Sequence, residues 1–307
     1  MILLVLPAVV VSAAAVAGFA GAWWWGFDLL SNFRPQYAVV ATLLGLALIA
    51  GKWRRTGLLV LLVGLLNAVL VGLLWMSPPD VPVSEDASFT VMSFNVHASN
   101  EARAGVFDYI GRTRPDVVFL HETTRLWEEA AVAADLGYKI ASVGQPGLIF
   151  STMVLAPPGA EFEGFGFATA EPRAVEVVID VGGRDVKLLG VHPLSPITAE
   201  RAALRNAQLS WAADWAANSN GAYLVTGDLN ATQWSQAWRS LVSATGMVDS
   251  TRGFGLQPSF PMDGNPLVRV QIDHLLHSPD LVTLDRRLGP RLGSDHAPLI
   301  VRLALTD

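Results

Sequence analysis

Cysteine is absent from this chain of 307 residues. Its absence excludes disulfide bonds, zinc–thiolate sites and thiol nucleophiles. The chain also has no excess of basic residues. It contains 21 lysines and arginines and 27 aspartates and glutamates, which gives a formal net charge of −6. Proteins that hold nucleic acid by its phosphates usually carry a basic surface, so this balance argues against a nucleic-acid partner.

Apolar residues are in excess, at 51% of the chain, with a mean hydropathy of +0.39. Most of the excess lies in three runs, at about 2–25, 37–51 and 57–76. A helix needs about 20 apolar residues to cross a bilayer, so the first and third runs are long enough and the second is short. We predict a three-helix transmembrane anchor over 1–76, a linker over 77–87 and a globular domain over 88–307. A cleaved signal peptide is the competing interpretation of the first run, but the two later runs would anchor the chain in either case.

The charges between the apolar runs predict an orientation. Lys52, Arg54 and Arg55 separate the second and third runs, whereas Arg34 between the first and second is offset by Asp28. The positive-inside rule places the more basic loop in the cytoplasm. Three crossings then predict a multi-pass protein of the cell membrane whose globular domain is extracytoplasmic. If the second run does not cross, the domain faces the cytoplasm instead.

Beyond the anchor, short apolar runs alternate with turn signals, which is typical of an α/β or α+β sandwich. Polar residues recur where these predicted strands end, and a rigid scaffold can bring side chains together at such positions. They are Asn95, Glu122, His192, Asp228, Asn230, Asp273, Asp295 and His296.

The segments that carry these residues read, in order, SFNV, PDVVFLHET, GVHPLSP, TGDLNAT, QIDHLL and GSDHAPL. Together and in this order they resemble the endonuclease/exonuclease/phosphatase family, over about Thr90 to Leu303. The resemblance implies a four-layer α/β/β/α sandwich of the DNase I-like type and a metal-dependent hydrolase of phosphoric esters or anhydrides. The sequence departs at His97, where many nucleases of the family have an acidic residue. This weakens the case for two carboxylates at the first metal site.

The resemblance implies a metal site. Glu122, Asn95 and Asp295 are the predicted ligands, with Mg²⁺ as the expected ion and Mn²⁺ or Ca²⁺ as alternatives. Carboxylate and amide oxygens are the ligands that Mg²⁺ prefers.

The resemblance also implies the catalytic roles. His296 is predicted to accept a proton from the attacking water, with Asp273 fixing the orientation of its ring. Asp228 is predicted to orient that water or to bind a second metal. Asn230 and His192 are predicted to donate hydrogen bonds to the non-bridging phosphate oxygens.

Three arginines are candidate substrate contacts, because guanidinium groups match phosphate oxygens. They are Arg173, Arg201 and Arg205, and a solvated basic face is an equally good interpretation of the last two. The tryptophans at 211, 215, 234 and 238 are expected to pack in the core or at an interface.

The predicted anchor restricts the range of candidate substrates. A site held close to a membrane meets lipid phosphates at high effective concentration. The leading hypothesis is hydrolysis of a lipid-linked phosphate or pyrophosphate, and the arrangement resembles the actinobacterial phosphatases associated with glycopeptide resistance, which act on undecaprenyl pyrophosphate. The partners would be membrane lipids, with no obligate protein partner. The alternatives are a phospholipase C- or sphingomyelinase-like phosphodiesterase, a surface nuclease, and a non-catalytic scaffold.

Overall fold

The computed structural model of the protein describes residues 2–78, 81–143, 151–165 and 174–307. The chain divides into two compact units. The first, called the anchor unit after the sequence prediction, consists of Met1–Pro78 with the segments Ala231–Arg239 and Arg252–Leu256. The globular unit consists of Pro79–Asn230, Ser240–Thr251 and Gln257–Asp307.

The helices of the anchor unit are strongly apolar. They are α1 (Ile2–Ala17), α2 (Trp25–Leu30), α3 (Arg34–Ala50) and α4 (Arg54–Gly72), with 3₁₀ turns at Gly18–Ala20, Ser31–Phe33 and Leu73–Trp75. Three stretches are long and apolar enough to cross a membrane: Leu3–Ala20, Trp25–Ala50 and Arg54–Trp75. The second is longer than its apolar run indicates, at 26 residues, because α2 and a 3₁₀ turn lead directly into α3.

Small residues bring α3 and α4 close together. A Cβ atom added at Gly45 would lie 2.7 Å from the backbone nitrogen of Leu61, and one at Gly64 would lie 2.6 Å from that of Thr42. Glycine at such positions lets two helix backbones approach closely, which is how apolar helices gain packing energy where lipid offers no hydrophobic contrast.

A buried charge lies inside this bundle. Arg34 is almost fully buried, and its Nη1 donates to Asn67 Oδ1 at 3.1 Å. Its guanidinium lies 3.8 Å from the centre of the Phe19 ring. A charge in an apolar bundle is costly unless it is paired, and here an amide and an aromatic face receive it.

The globular unit contains twelve strands and most of four helices among the described residues. The helices are α5 (Arg103–Thr113), α6 (Arg125–Ala134), α7 (Ala199–Ala217) and α8 (Gln236–Thr245), whose first turn belongs to the anchor unit. The strands are β1 (Val83–Asn95), β2 (Val117–Thr123), β3 (Lys139–Val143), β4 (Ser151–Ala156), β5 (Glu161–Phe165), β6 (Ala174–Val181), β7 (Arg184–Gly190), β8 (Ala222–Asp228), β9 (Val248–Asp249), β10 (Asp273–His277), β11 (Leu281–Leu288) and β12 (Leu299–Thr306). β1 therefore begins within the segment 77–87 that the sequence suggested as a linker.

Two six-stranded sheets form the centre of this unit. Their strand orders are β11-β12-β1-β2-β4-β3 and β5-β6-β7-β8-β10-β9. Alternating apolar residues of both sheets, among them Phe89, Val91, Leu188 and Leu224, share one core. On the other face of the first sheet, α5 and α6 cover a second core around Trp127, and α7 contacts β8 of the second sheet. The layered α/β sandwich predicted from the sequence is confirmed.

Candidate active site

The first sheet supplies two polar side chains at the ends of neighbouring strands. β1 and β2 are parallel, and Asn95 pairs with His121, so Glu122 is the next residue of β2. Parallel strands end at the same edge of a sheet, which brings Asn95 and Glu122 together. Asn95 Nδ2 donates to Glu122 Oε1 at 3.0 Å.

The second sheet supplies three more. β8 and β10 are antiparallel, and their register sets Asp228 directly opposite Asp273. β7 and β8 are parallel with Gly190 opposite Thr226, so His192 and Asp228 each follow that pair by two positions. His192 Nδ1 lies 3.2 Å from the carbonyl oxygen of Asp228 and 3.6 Å from its Oδ2.

The two edges meet in one site. Asn95 Nδ2 also donates to Asp228 Oδ2 at 3.1 Å, and His192 Nε2 lies 3.3 Å from Glu122 Oε1. Residues from four strands and their loops thus converge within hydrogen-bonding distance, although Asn95 and Asp228 are 133 positions apart.

A chain of hydrogen bonds through Asp273 and His296 leads to the Asp228 carboxylate. His296 Nδ1 lies 2.9 Å from Asp273 Oδ2, and the same oxygen accepts a bond of 2.5 Å from Ser259 Oγ. The other ring nitrogen of His296, Nε2, lies 3.6 Å from Asp228 Oδ2. A carboxylate that binds one nitrogen of an imidazole leaves the other free to exchange a proton, which is the arrangement of a general base and its orienting acid.

The electrostatics around Glu122 and His192 favour a charged pair. Burial by itself would raise the pKa of Glu122, but the hydrogen bond and charge of His192, with the amide of Asn95, lower it to about 2. Burial would likewise lower the pKa of His192, but its bond to Glu122 and the charge of Asp228 raise it. Glu122 is therefore ionised at neutral pH.

The other part of the site combines the two opposed carboxylates of Asp228 and Asp273 with the imidazole of His296. Burial opposes a charge on His296, but Asp273 and Asp228 outweigh it and raise its pKa to about 10. Burial would also raise the pKa of Asp273, and the charge and hydrogen bond of His296 lower it instead. The pKa of Asp228 is raised, because its burial outweighs the nearby His296 and His192. The two carboxylates thus hold a proton on the ring between them.

Strained backbone orients several of these side chains. Glu122 has φ of 60° and Asn230 has φ of 49°, in the left-handed region that side chains other than glycine seldom adopt. Gly227 precedes Asp228 with φ of 149°, and a Cβ there would lie 1.8 Å from the carbonyl oxygen of Val191. Such strain persists only where the surroundings hold it, and it is concentrated at functional sites.

Comparison with known proteins decides the family. A model described as the Endonuclease/Exonuclease/phosphatase family matches residues 92–296, well over half of the chain. The chain belongs to this family. Members of the family are hydrolases of phosphoester bonds and are generally metal-dependent. No curated protein matches the chain.

Solved structures show the same fold. D. rerio TDP2 complexed with a single-strand DNA product is 17% identical, with a TM-score of 0.60 over 71% of this chain and 99% of that one. An endonuclease/exonuclease/phosphatase from Beutenbergia cavernae is 19% identical, with a TM-score of 0.54 over 71% and 72%. The human Nocturnin catalytic domain with bound sulfate is 17% identical, with a TM-score of 0.56 over 74% and 97%. At these identities the likeness shows the fold alone.

Two groups of side chains in this family member have the chemistry to hold a divalent cation. Enzymes of the family typically use divalent metals such as Mg²⁺. Ligand atoms of Asp228, Asp273 and His296 lie within 4.8 Å of one another, but the hydrogen bond between the last two suits a proton relay. The carboxylate oxygens of Glu122 and Asp228 form the harder set of oxygens, which fits Mg²⁺ better. Asn95 Nδ2 donates to both of them, and its Oδ1 accepts from the backbone nitrogen of His97 at 3.0 Å.

The third predicted ligand, Asp295, is connected to Asn95 by the side chain of Ser294. Ser294 Oγ donates to the carbonyl oxygen of Asn95 at 2.7 Å and lies 3.4 Å from Asp295 Oδ1. Asp295 is half-exposed, and its charge contributes to the raised pKa of His296. Its assignment as a ligand stays a prediction.

The predicted substrate contacts lie in different surroundings. Arg205 is buried, and its Nη1 donates to the carbonyl oxygen of Asn230 at 2.8 Å, so it supports the backbone of the site. Arg201 is half-exposed near the start of α7. Arg173 lies outside the described residues.

Asn230 Nδ2 donates to the carbonyl oxygen of Pro193 at 3.0 Å, which orients its amide.

Three contributors to the site were missed in the sequence. Ser259 binds Asp273, Phe260 stacks on His296 with ring centres 4.7 Å apart, and the buried Arg286 reaches the carbonyl oxygen of Asp273 at 3.5 Å. Burial lowers the pKa of Arg286 to about 10. Ser259 and Phe260 stand in a loop without a recognisable motif, and Arg286 lies within an ordinary strand pattern, so nothing local pointed to them.

We expect Asp273→Asn to lower the maximal turnover and to move its pH dependence. A general base must be neutral, so the rate rises as pH passes through the pKa of His296. Removing the Asp273 charge lowers that pKa, and the rising limb should move to lower pH. The maximal rate should fall by about 10²- to 10⁴-fold, because the ring loses the partner that fixes its tautomer. Turnover measured from pH 5 to 11 checks this, and an unmoved limb would contradict the assigned pair.

We expect Mg²⁺ to stabilise the protein through the oxygen set around Glu122. A ligand that binds only the folded state raises the midpoint of thermal unfolding as its concentration rises. Glu122→Gln removes a charged ligand and should weaken this effect by tenfold or more in Mg²⁺ concentration, roughly 1.4 kcal/mol. Glu129→Gln is the matched control, since Glu129 is exposed and pairs with Arg125. Equal Mg²⁺ responses in both variants would show that the cation binds elsewhere.

Proposed function

We propose that the protein is a membrane-anchored, divalent-metal-dependent phosphoesterase that hydrolyses a lipid-linked phosphate or pyrophosphate, such as undecaprenyl pyrophosphate, on the extracytoplasmic face. The observation that carries the proposal is the combination, in one chain, of the hydrogen-bonded site around Asp228 and His296 with three helices apolar enough to cross a membrane. The site supports the hydrolysis of a phosphate ester or anhydride, and the apolar helices support a lipid-linked substrate.

The connection between the two parts is short. Only residues 73–82 separate the end of α4 at Gly72 from the start of β1 at Val83. A stretch of this length reaches at most about 35 Å when fully extended. A catalytic domain so tethered samples the headgroup layer, where a lipid phosphate has a high effective concentration.

The site suits attack of water on a phosphoryl group. A divalent cation, when bound, would offset the negative charge that develops on the phosphoryl oxygens. In its neutral form, His296 takes the proton of the attacking water through Nε2, while Asp273 holds the ring through Nδ1. His192 and the amide of Asn230 donate to the non-bridging oxygens, and each such donor is worth roughly 3–4 kcal/mol of the barrier.

The nuclease alternative receives less support from this chain. The net charge is −6, and a nucleic-acid cleft gains most of its affinity from basic residues. The likeness to a TDP2 structure with bound DNA product is a likeness of fold at 17% identity. A phosphodiesterase acting on phospholipids is the nearer alternative, because it would use the same membrane location and the same site.

We expect the purified full-length protein, in detergent with Mg²⁺, to release phosphate from undecaprenyl pyrophosphate. The same preparation is assayed for headgroup release from phosphatidylcholine and sphingomyelin, and for nicking of supercoiled plasmid. His296→Ala should abolish whichever activity belongs to the site. Cleavage of a phospholipid without phosphate release would establish the phosphodiesterase, and plasmid nicking that falls steeply with salt would establish the nuclease.

We expect the globular unit to lie outside the cell. The absence of cysteine makes a single introduced thiol a unique label. In right-side-out vesicles, a membrane-impermeant maleimide should label Asn220→Cys, in the exposed turn after α7, without lysis. It should label Trp53→Cys, between α3 and α4, only after lysis. The reverse pattern would place the globular unit in the cytoplasm.

A further inference from the structure

Two segments of the anchor unit are neighbours in sequence of active-site residues. Ala231–Arg239 begins directly after Asn230, and Arg252–Leu256 ends three positions before Ser259. The compact unit that holds the apolar helices therefore continues into the residues next to two parts of the catalytic machinery.

A side-chain bond from the anchor fixes the first segment. Asn32 lies in the 3₁₀ turn between α2 and α3, and its Oδ1 accepts from Thr232 Oγ1 at 2.8 Å and from the backbone nitrogen of Thr232 at 3.4 Å. Thr232 is fully buried, as is Ala231 before it. A buried donor that loses its acceptor is costly, so this contact constrains the segment strongly.

A carboxylate of the anchor fixes the next turn. Asp28 in α2 is buried, and its Oδ1 accepts a bond of 2.5 Å from the backbone nitrogen of Gln236, the first residue of α8. The first N–H groups of a helix have no partner within it, and an acidic group there also complements the helix dipole. The start of α8 thus takes one of its caps from the anchor.

Backbone bonds fix the second segment. The carbonyl oxygen of Leu74 accepts from the backbone nitrogen of Gly253 at 2.9 Å and from that of Gly255 at 3.3 Å. Both glycines have positive φ, and a Cβ at Gly255 would lie 2.3 Å from the Trp75 ring. Only glycine permits this approach to the end of the anchor.

The first segment leads straight back to catalytic atoms. The backbone nitrogen of Asn230 donates to Asp228 Oδ1 at 2.9 Å, and Asn230 itself adopts a strained φ of 49°. Strain of this kind persists only where the surrounding structure holds the residue in place. Arg205 holds the carbonyl oxygen of Asn230, and Thr232, two positions later, is held by Asn32.

We propose that the helical region 1–78 helps to position the active site, in addition to any role in attaching the protein to a membrane. Asn32 and Asp28 hold the segment that follows Asp228 and Asn230, and the carbonyl of Leu74 holds the segment that precedes Ser259. The phosphoesterase should therefore turn over slowly when these bonds are broken, even on a substrate that needs no membrane. This inference rests on the site being a phosphoesterase and does not depend on a lipid substrate.

The test compares two changes at one position in the full-length protein in detergent. Asn32→Leu removes the acceptor, whereas Asn32→Asp keeps an acceptor oxygen at the same length. Thr232→Val removes the donor. Thr245→Val is its matched control, because Thr245 Oγ1 donates to the carbonyl oxygens of Leu241 and Val242 and accepts from the backbone nitrogen of Met247, all at the end of α8. Two readouts are used: deuterium uptake of the peptide over 226–236 by mass spectrometry, and turnover of p-nitrophenyl phosphate, bis(p-nitrophenyl) phosphate and undecaprenyl pyrophosphate.

We expect Asn32→Leu and Thr232→Val to increase deuterium uptake over 226–236 and to lower kcat by about 10- to 100-fold with KM little changed, since small misplacements of catalytic groups cost this much. The double variant should be no worse than either single one, and Asn32→Asp and Thr245→Val should stay near wild type. Unchanged uptake in Asn32→Leu, or equal damage by Asn32→Asp, would overturn the proposal. Because uptake is read without any substrate, the proposal can fail or stand whichever substrate the enzyme uses.

Discussion

The site depends on one unfavourable juxtaposition, two carboxylates set opposite each other in a buried antiparallel ladder. Asp228 and Asp273 are paired by the register of β8 and β10, where like charges repel. His296 lies between them, with Nδ1 2.9 Å from Asp273 and Nε2 3.6 Å from Asp228, and the charges of both carboxylates raise its pKa. The remaining contacts at this edge, from Ser259, Arg286 and Asn95, serve to hold this arrangement in place.

Much of this could be predicted from the sequence, because the chemistry-bearing residues directly follow apolar strands. The motifs around Asn95, Glu122 and Asp228 specified both the sheet edge and the polar group that it presents. The layered fold followed from the family resemblance and is confirmed. What escaped prediction depends on the packing of distant segments. Ser259 meets Asp273 only because a motif-free loop folds back over β10, and no local periodicity reports that.

The anchor shows the same limit in another form. Apolar runs were sufficient to predict three helices, but the second was judged short because its run begins only at residue 37. In the structure, α2 and a 3₁₀ turn extend that stretch back to Trp25 across the polar Asp28, Asn32 and Arg34. Those polar residues are satisfied by partners far along the chain, such as Thr232 for Asn32 and Asn67 for Arg34. Hydropathy counts each of them as a break, although in three dimensions each is paired.

Charge balance explains why a hydrolase of phosphate esters can be acidic. Glu122, Asp228 and Asp273 face the imidazoles of His192 and His296, so the cluster by itself would repel a phosphate. Binding an anion there requires added positive charge, which a divalent cation on the carboxylate oxygens of Glu122 and Asp228 would supply. Affinity for the phosphoryl group then comes from the cation and the few donors around it rather than from a basic surface.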